Sequence, residues 1–413
     1  MPSKNAKGIS VGVFSFDDTP KTNSPKQNPL GVRVGVLGGG QLGRMFIQKA
    51  IDFNIDVAVM DPDDHAPCST ICAGFQQGDF KSYEDVMRFG ANCDVITVEI
   101  EHVNVDALEE LEKMGKKVFP QPRVLRIIQD KGLQKEFYRI NSIPTSEFRL
   151  VSNKNEISNF PDIFPVMQKL RTSGYDGRGV MPLNNLDAVA SAFDEPSVIE
   201  RKVDLQQEIS VIVSRNEQGE LSHFPVVGME FNPEANLVEF LFSPAEVDAS
   251  IEQEAIRIAR QVIEKMEMVG LLAVEMFISR KGELLVNEVA PRPHNSGHQT
   301  IEGNTVSQYE QHLRAILGLP PGDTSIIKPA VMVNLLGEKG FTGPAVYEGL
   351  EELMRLDGAY LHLYGKKTTK PFRKMGHITV TANTIEEAKE KARKVKDMVK
   401  VTSAALSLSK GGK

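Results

Sequence analysis

The chain has 413 residues, 41% of them hydrophobic and 25% charged, enough for two or three domains with real cores. A net charge of −7 argues against duplex nucleic acid as the main partner, but leaves room for a local basic site that takes a phosphorylated small molecule. Three cysteines give no disulfide framework and fit a reducing, cytoplasmic compartment, and no apolar run is long enough to place the chain in a membrane.

Residues 1–29 are polar and rich in Lys, Asn, Ser and Pro, and they lack the apolar core of a signal peptide. They read as a flexible extension, with Ile9–Phe16 suited to pair as an edge strand. Val32–Leu37 is an apolar run that ends in Gly38-Gly39-Gly40-Gln41-Leu42-Gly43. A helical pattern follows through Met45, Phe46 and Ala50, and then Ile55–Met60 reads as a second strand ended by Asp61. Strand, glycine turn, helix and strand in that order imply an open parallel sheet. Asp94–Val98 adds a strand closing on Glu99 and Glu101. Helix Asp106–Met114 and strand Lys117–Phe119 complete a Rossmann-like domain over 30–125. The glycine run matches GxGxxG, and Asp61 lies where a dinucleotide's ribose acid would sit. Alone that pattern is weak, because glycines there also serve chain reversal and close packing. Backbone geometry or substrate contact is the preferred reading, without NAD. Cys68 and Cys72 lack the second pair that a metal site needs, so they read as incidental thiols.

Ile127–Ile140 reads as one helix carrying Lys131 and Lys135, the latter on a solvated basic face. Pro165–Leu170 is a strand with Lys169 among apolar neighbours, which calls for a partner anion or an escape route. The stretch Arg171 to Val180 holds Gly174 and Gly177 between two arginines, with Gly179 directly after the second. It is either a plain hairpin turn or a loop whose backbone N–H groups fold over phosphates. Strands follow at Ser197–Val203, with Glu200, and at Glu208–Val213, then an amphipathic helix over Val247–Glu267. Glu275 and Glu288 lie on two apolar runs joined by a turn at Lys281-Gly282, so a hairpin brings the carboxylates together. Two hard ligands on one small sheet suit Mg2+ held against phosphates; a solvated hairpin is the alternative. Arg292-Pro-His294-Asn295-Ser-Gly-His298 then supplies anion donors. Helix Val306–Leu317 and a linker at Gly318–Gly322 close a central unit over 126–322. The remainder, 323–413, has strands at Ala330–Leu335, Ala359–Leu363 and Gly376–Val380, and a charged helix over Ile385–Met398 whose charges read as a solvated face.

Five stretches in this order carry a resemblance: GGGQLGRM (38–45), ITVEIEHV (96–103), GYDGRG (174–179), NEVAPRPHNSGH (287–298) and YGK with FRKMGH (364–377). The chain resembles the ATP-grasp superfamily and, within it, the N5-carboxyaminoimidazole ribonucleotide synthetase family of purine biosynthesis. The resemblance implies a Rossmann-like domain, a two-lobed clamp around ATP and a small β-rich C-terminal domain. It implies ligation of bicarbonate to the exocyclic amine of aminoimidazole ribonucleotide through carboxyphosphate, with Mg2+ or Mn2+ and without biotin. Phosphorylation turns a poor electrophile into a good one, so the protein's task is positioning and charge stabilisation.

By the same resemblance, Lys131 and Lys169 contact the ATP phosphates. The flap Gly174, Tyr175, Asp176, Gly177, Arg178, Gly179 and Val180 covers them. Glu200, Arg201, Lys202 and Val203 meet the adenine edge through main chain, and Glu208 holds the ribose. Glu275 and Glu288 hold the metal, with Asn287 alongside. Arg178, Arg292 and His294 are the catalytic groups that neutralise bicarbonate and carboxyphosphate. Gln41, Leu42, Glu99, Asp176 and Asn295 line the ribonucleotide, whose 5′-phosphate is gripped by Lys366, Arg373 and Lys374. A homodimer is implied. The chain departs from the family pattern at residues 228–234, which lack a histidine that approaches the nucleotide, and in its N-terminal extension. The rival readings are a ligase acting on glycinamide ribonucleotide with formate, an NAD(P)-dependent oxidoreductase, and a clamp without activity.

Overall fold

The computed structural model describes residues 31–172, 179–232 and 237–404. The N-terminal extension and the flap residues Gly174, Tyr175, Asp176, Gly177 and Arg178 lie outside the described residues. The first sheet is parallel, with β1 (Arg33–Leu37), β2 (Asp56–Asp61), β3 (Gly74–Gln77), β4 (Val95–Val98) and β5 (Lys117–Val118) in the order β3-β2-β1-β4-β5. Strand order reverses at β1/β4, so the glycine turn after β1 and Glu99 after β4 share one crevice at the carboxyl ends of the strands. The short strand β3 and helix Tyr83–Gly90 are additions to the expected elements.

The expected helix over Ile127–Ile140 is two helices, Pro122–Gln129 and Lys131–Ile140. Asp130 breaks it. Its backbone is extended, and its carboxylate accepts from Gly132 N–H at 2.7 Å and Leu133 N–H at 3.3 Å. The break places Lys131 at the first helical position, in line with the clamp.

The clamp's first lobe is an antiparallel sheet of β6 (Phe148–Val151), β7 (Val166–Leu170), β8 (Val180–Leu183) and β9 (Ser197–Arg201), ordered β6-β9-β7-β8. The second lobe contributes β10 (Leu205–Arg215), β11 (Leu221–His223), β12 (Val227–Asn232), β13 (Leu237–Ser243), β14 (Gly270–Ser279) and β15 (Leu284–Ala290). Helix Ala249–Lys265 covers one face, where Ile258 and Val262 pack on Val211, Leu272 and Val274. Alternating apolar residues on strands and a 3.6-residue apolar stripe on the helix produce this layer.

The C-terminal strands are β16 (Ala330–Leu336), β17 (Gly343–Glu348), β18 (Ala359–Leu363), β19 (Thr368–Thr369), β20 (Lys374–Thr381) and β21 (Lys400–Ser403). They do not all form a sheet of their own. Among the described residues, β16, β20 and β18 extend the second lobe's sheet in the order β15-β14-β10-β12-β13-β16-β20-β18. The β13–β16 pairing, from Phe240↔Val333 to Ser243↔Ala330, makes that seam. The C-terminal cations are therefore tied to the clamp by backbone hydrogen bonds as well as by side-chain packing.

Candidate active site

The glycine turn is filled by carboxylates from its own domain. Asp61 accepts from Gly39 N–H at 2.7 Å, and Glu99 accepts from Leu42 N–H at 3.2 Å. A Cβ at Gly40 would lie 2.4 Å from Glu99 Oε1, so the glycine is what allows that carboxylate to approach. A pyrophosphate would need the same N–H groups and would have to displace both carboxylates from them. The GxGxxG match thus serves an internal helix cap. Burial pushes Glu99 up to about 7, against the pull of Arg292, Leu42 N–H and Lys366. Gln41 opens the helix beside it. Cys68, Cys72 and Cys93 are free thiols, the first and last buried.

Inside the clamp, two lysines share one buried carboxylate. Glu200 lies 3.2 Å from Lys169 Nζ and 3.2 Å from Lys135 Nζ. Lys169 also donates to Asn287 Oδ1 at 2.8 Å, and Lys135 to Thr145 Oγ1 at 2.6 Å. Lys135 does not lie on a solvated face: its side chain is 2% exposed, because the start of helix Lys131–Ile140 faces the lobe interface. Burial pushes its ammonium down to about 8. Burial also opposes ionisation of Glu200, but the two lysines outweigh it and hold the carboxylate below its ordinary value. Arg201 points elsewhere, to Glu147 at 2.8 Å on the surface, while Lys202 is exposed and its N–H donates to Pro165 O. These two and half-buried Val203 would meet a nucleotide only through main chain. Glu208, on β10, is pushed up to about 7 by burial, with Lys169 pulling down and Glu288 pushing up. Gly179 N–Cα lies at φ +71, and Val180 opens β8 opposite Lys169.

Glu275 and Glu288 are direct partners in the β14–β15 register, beside a bulge. Lys131 Nζ donates to Glu288 at 3.1 Å, and this ammonium holds Glu288 well below the usual carboxylate range. Burial, then repulsion from Glu288 and Glu208, pushes Glu275 up. His294 Nε2 stands 3.4 Å from Glu275. Ser296 N–H donates to His294 Nδ1 at 3.3 Å, so the neutral ring carries its proton on Nε2, towards Glu275. Burial, Arg292 and Lys374 push this histidine down to about 3. Gln308 grips the loop by accepting from His294 N–H at 2.8 Å and donating to His294 O at 2.7 Å. Arg292 pairs with Glu101 at 2.8 Å, joining the loop to the first domain. Asn295 directly follows His294, with its Oδ1 buried.

A cavity of about 880 Å3 opens between the first domain and the clamp, lined by Lys131, Arg171, Glu275, Glu288, Arg292 and His294 from the clamp, and by Glu101 and His102 opposite. Arg171 is held there by a two-bond pair with Asp130, at 2.8 and 2.6 Å. Lys366 Nζ donates to Lys374 O at 2.6 Å, whereas Arg373 bonds Thr368 O at 2.8 Å, beside Tyr347. Lys366 and Lys374 act on Glu99 and Glu275 respectively; Arg373 reaches another way. Among the described residues, no three His, Cys, Asp or Glu side chains gather to hold a metal. The crowded Glu275–Glu288 pair instead fits a hard cation that completes its shell with phosphate oxygens and water.

In the sequence Lys135 reads as a solvated lysine, Glu101 as the end of a strand and Arg171 as an arginine flanking the flap, while His102 and the pairing of Asp130 with Arg171 go unread. Glu101 and His102 lie within the quoted ITVEIEHV stretch and Arg171 within the flap stretch, so a signal existed. Lys135 sits four residues after Lys131, on the same helix face.

Three family models match: an ATP-grasp domain over residues 136–309, a ribonucleotide synthetase preATP-grasp domain over 32–129, and a phosphoribosylaminoimidazole carboxylase C-terminal domain over 330–391. The chain is similar to the chloroplastic phosphoribosylaminoimidazole carboxylase of Vigna aconitifolia, 40% identical over 86% of this chain, and spans 65% of that relative's length. The solved N5-carboxyaminoimidazole ribonucleotide synthetase of Thermotoga maritima is 41% identical with a TM-score of 0.84, covering 90% of this chain and 100% of that one. The Aspergillus clavatus synthase, solved with ADP and 5-aminoimidazole ribonucleotide, is 36% identical with a TM-score of 0.81, covering 89% and 98%.

Proposed function

The chain belongs to the N5-carboxyaminoimidazole ribonucleotide synthetase family of ATP-grasp proteins, and from that premise we propose that it joins bicarbonate to the exocyclic amine of 5-aminoimidazole ribonucleotide at the expense of ATP. The observation that carries this is one cavity joining Lys131, Glu275, Glu288, Arg292 and His294 to the first domain. Cations, paired carboxylates and a domain seam are what phosphoryl transfer to bicarbonate needs beside an amine acceptor.

Lys131 and Lys169 bind the ATP phosphates, and the flap Gly174–Val180 covers them. The main chain of Glu200–Val203 meets adenine, and Glu208 accepts from the ribose hydroxyls. Glu275 and Glu288, beside Asn287, hold Mg2+ or Mn2+, which neutralises phosphate charge when bound. Bicarbonate oxygen attacks the γ-phosphorus, ADP leaves, and carboxyphosphate remains against Arg178, Arg292 and the Nε2–H of His294. The amine then attacks the carboxyl carbon, the bond from that carbon to the phosphate oxygen breaks, and the departing phosphate takes up the proton that the amine loses. Gln41, Leu42, Glu99, Asp176 and Asn295 line the ribonucleotide, with Lys366 and Lys374 at its 5′-phosphate; Arg373 joins them there by turning away from Thr368 O.

We divide the chain at 30–125, 126–322 and 323–413. A homodimer is expected, so solution light scattering should return twice the chain mass. Among the described residues, no helix is long and apolar enough to cross a membrane. We place the protein in the cytoplasm, a reducing compartment in keeping with its three free thiols. The test is ADP release with ATP, Mg2+ and bicarbonate, with and without aminoimidazole ribonucleotide.

A further inference from the structure

Two histidines end the motifs that carry the site, His298 after the basic loop and His377 after the C-terminal cations, and neither has a role in the chemistry above. Both are fully buried, and they stack on each other with ring centroids 4.6 Å apart and planes at 28°. His362 stacks on the far side of His377, at 4.4 Å and 11°, its register partner across β18 and β20. We propose that this three-imidazole stack is a joint that registers the loop Arg292–His298 against Lys366 and Lys374, making His298, His377 and His362 positioning residues for the ribonucleotide end of the site. The proposal rests on the function given above.

Each ring is fixed in rotation by a bond at its edge. Tyr309 Oη meets His298 Nδ1 at 2.9 Å, Tyr364 Oη meets His377 Nδ1 at 3.0 Å, and Glu302 meets His362 Nε2 at 2.8 Å. Gln308, which grips His294 by two backbone bonds, also reaches His298 Nδ1 at 3.3 Å. Each ring connects to the site by a short covalent span. His298 follows Asn295 by three residues and His377 follows Lys374 by three. His362 leads through Tyr364 to Lys366, whose ammonium lies 5.5 Å over the Tyr364 ring. The Lys366–Lys374 O bond closes the far end.

Core packing alone does not account for imidazoles here. Among the described residues, Nε2 of His298 and of His377 has no hydrogen-bond partner, a cost that phenyl rings filling the same space would avoid. What imidazole adds is an edge that a tyrosine hydroxyl can orient. Rings held in both stacking and rotation keep the two motifs at one separation, and misplacement by about 1 Å near reacting groups lowers rates by up to roughly 100-fold.

The test uses the full chain with His377→Phe, which keeps a flat ring, and with His362→Leu at the half-buried outer ring. Steady-state kinetics read KM for aminoimidazole ribonucleotide and for ATP separately. The expected result is a ribonucleotide KM raised about tenfold, with KM for ATP within about twofold. Folded variants with both constants unchanged, or with both raised equally, overturn the joint. If His377→Phe does not fold, His362→Leu decides alone. A wild-type protein whose ADP release ignores the ribonucleotide would instead sink the functional reading.

Discussion

Glu275 and Glu288 stand opposite each other in the β14–β15 register, yet Lys131 bonds to Glu288 while Glu275 faces the neutral imidazole of His294. The pair is thus one ionised carboxylate and one under pressure to hold its proton. A hard cation relieves that pressure, since it needs both oxygens charged. Glu288→Gln should abolish ADP release while leaving the thermal midpoint near that of the wild type; a fully active variant would remove the metal role.

The same pair sets a pH dependence. Burial and Glu288 raise Glu275 above its unfolded value, so the stability contributed by its protonated form is present below that value and lost as pH rises through the folded one. Cation binding runs the other way, because the ion displaces the proton. The apparent affinity for Mg2+ with ATP should therefore rise with pH above the ordinary carboxylate range, and Glu275→Gln should flatten that slope. Calorimetric titration at several pH values reads both, and an unchanged slope in the variant contradicts the assignment.

Lys135 is the cation that the sequence conceals, and Lys135→Met leaves buried Glu200 with one lysine. Breaking a buried pair costs about 3–5 kcal/mol. Denaturant unfolding should show a loss of that order, and KM for ATP should rise because Lys169 is no longer held from both sides. Adding Glu200→Gln to Lys135→Met should recover part of the stability. Full stability in the single variant would mean that Lys135 is solvated after all.

Lys366→Ala should chiefly raise KM for the ribonucleotide, by about tenfold for one charge-assisted phosphate contact. An effect confined to ATP would contradict its placement. NADH should give neither fluorescence enhancement nor thermal stabilisation, since Asp61 and Glu99 occupy the glycine cradle; saturable NADH binding would reopen the dinucleotide reading.

The parallel first sheet, the carboxylate hairpin and the strand lysine were legible because each rests on local pattern: alternation, a glycine turn, a charge among apolar residues. What stayed hidden depends on distant partners. Lys135 looks like any lysine on an amphipathic helix until Glu200 and Thr145 close over it. The break at Asp130 needed the cap bonds to Gly132 and Leu133, which compete with a strong helical period. The seam joining β13 to β16 is invisible because strand pairing across the linker leaves no local mark. His298 and His377 were quoted in their motifs, but only the folded chain stacks them.

The central claim is that the cavity between Glu288, Arg292 and the first domain couples ATP cleavage to carboxylation of one amine. ADP release with ATP, Mg2+ and bicarbonate tests it most directly. Stimulation by aminoimidazole ribonucleotide, with no response to glycinamide ribonucleotide and formate, is the result expected. Stimulation by the latter pair alone would contradict it.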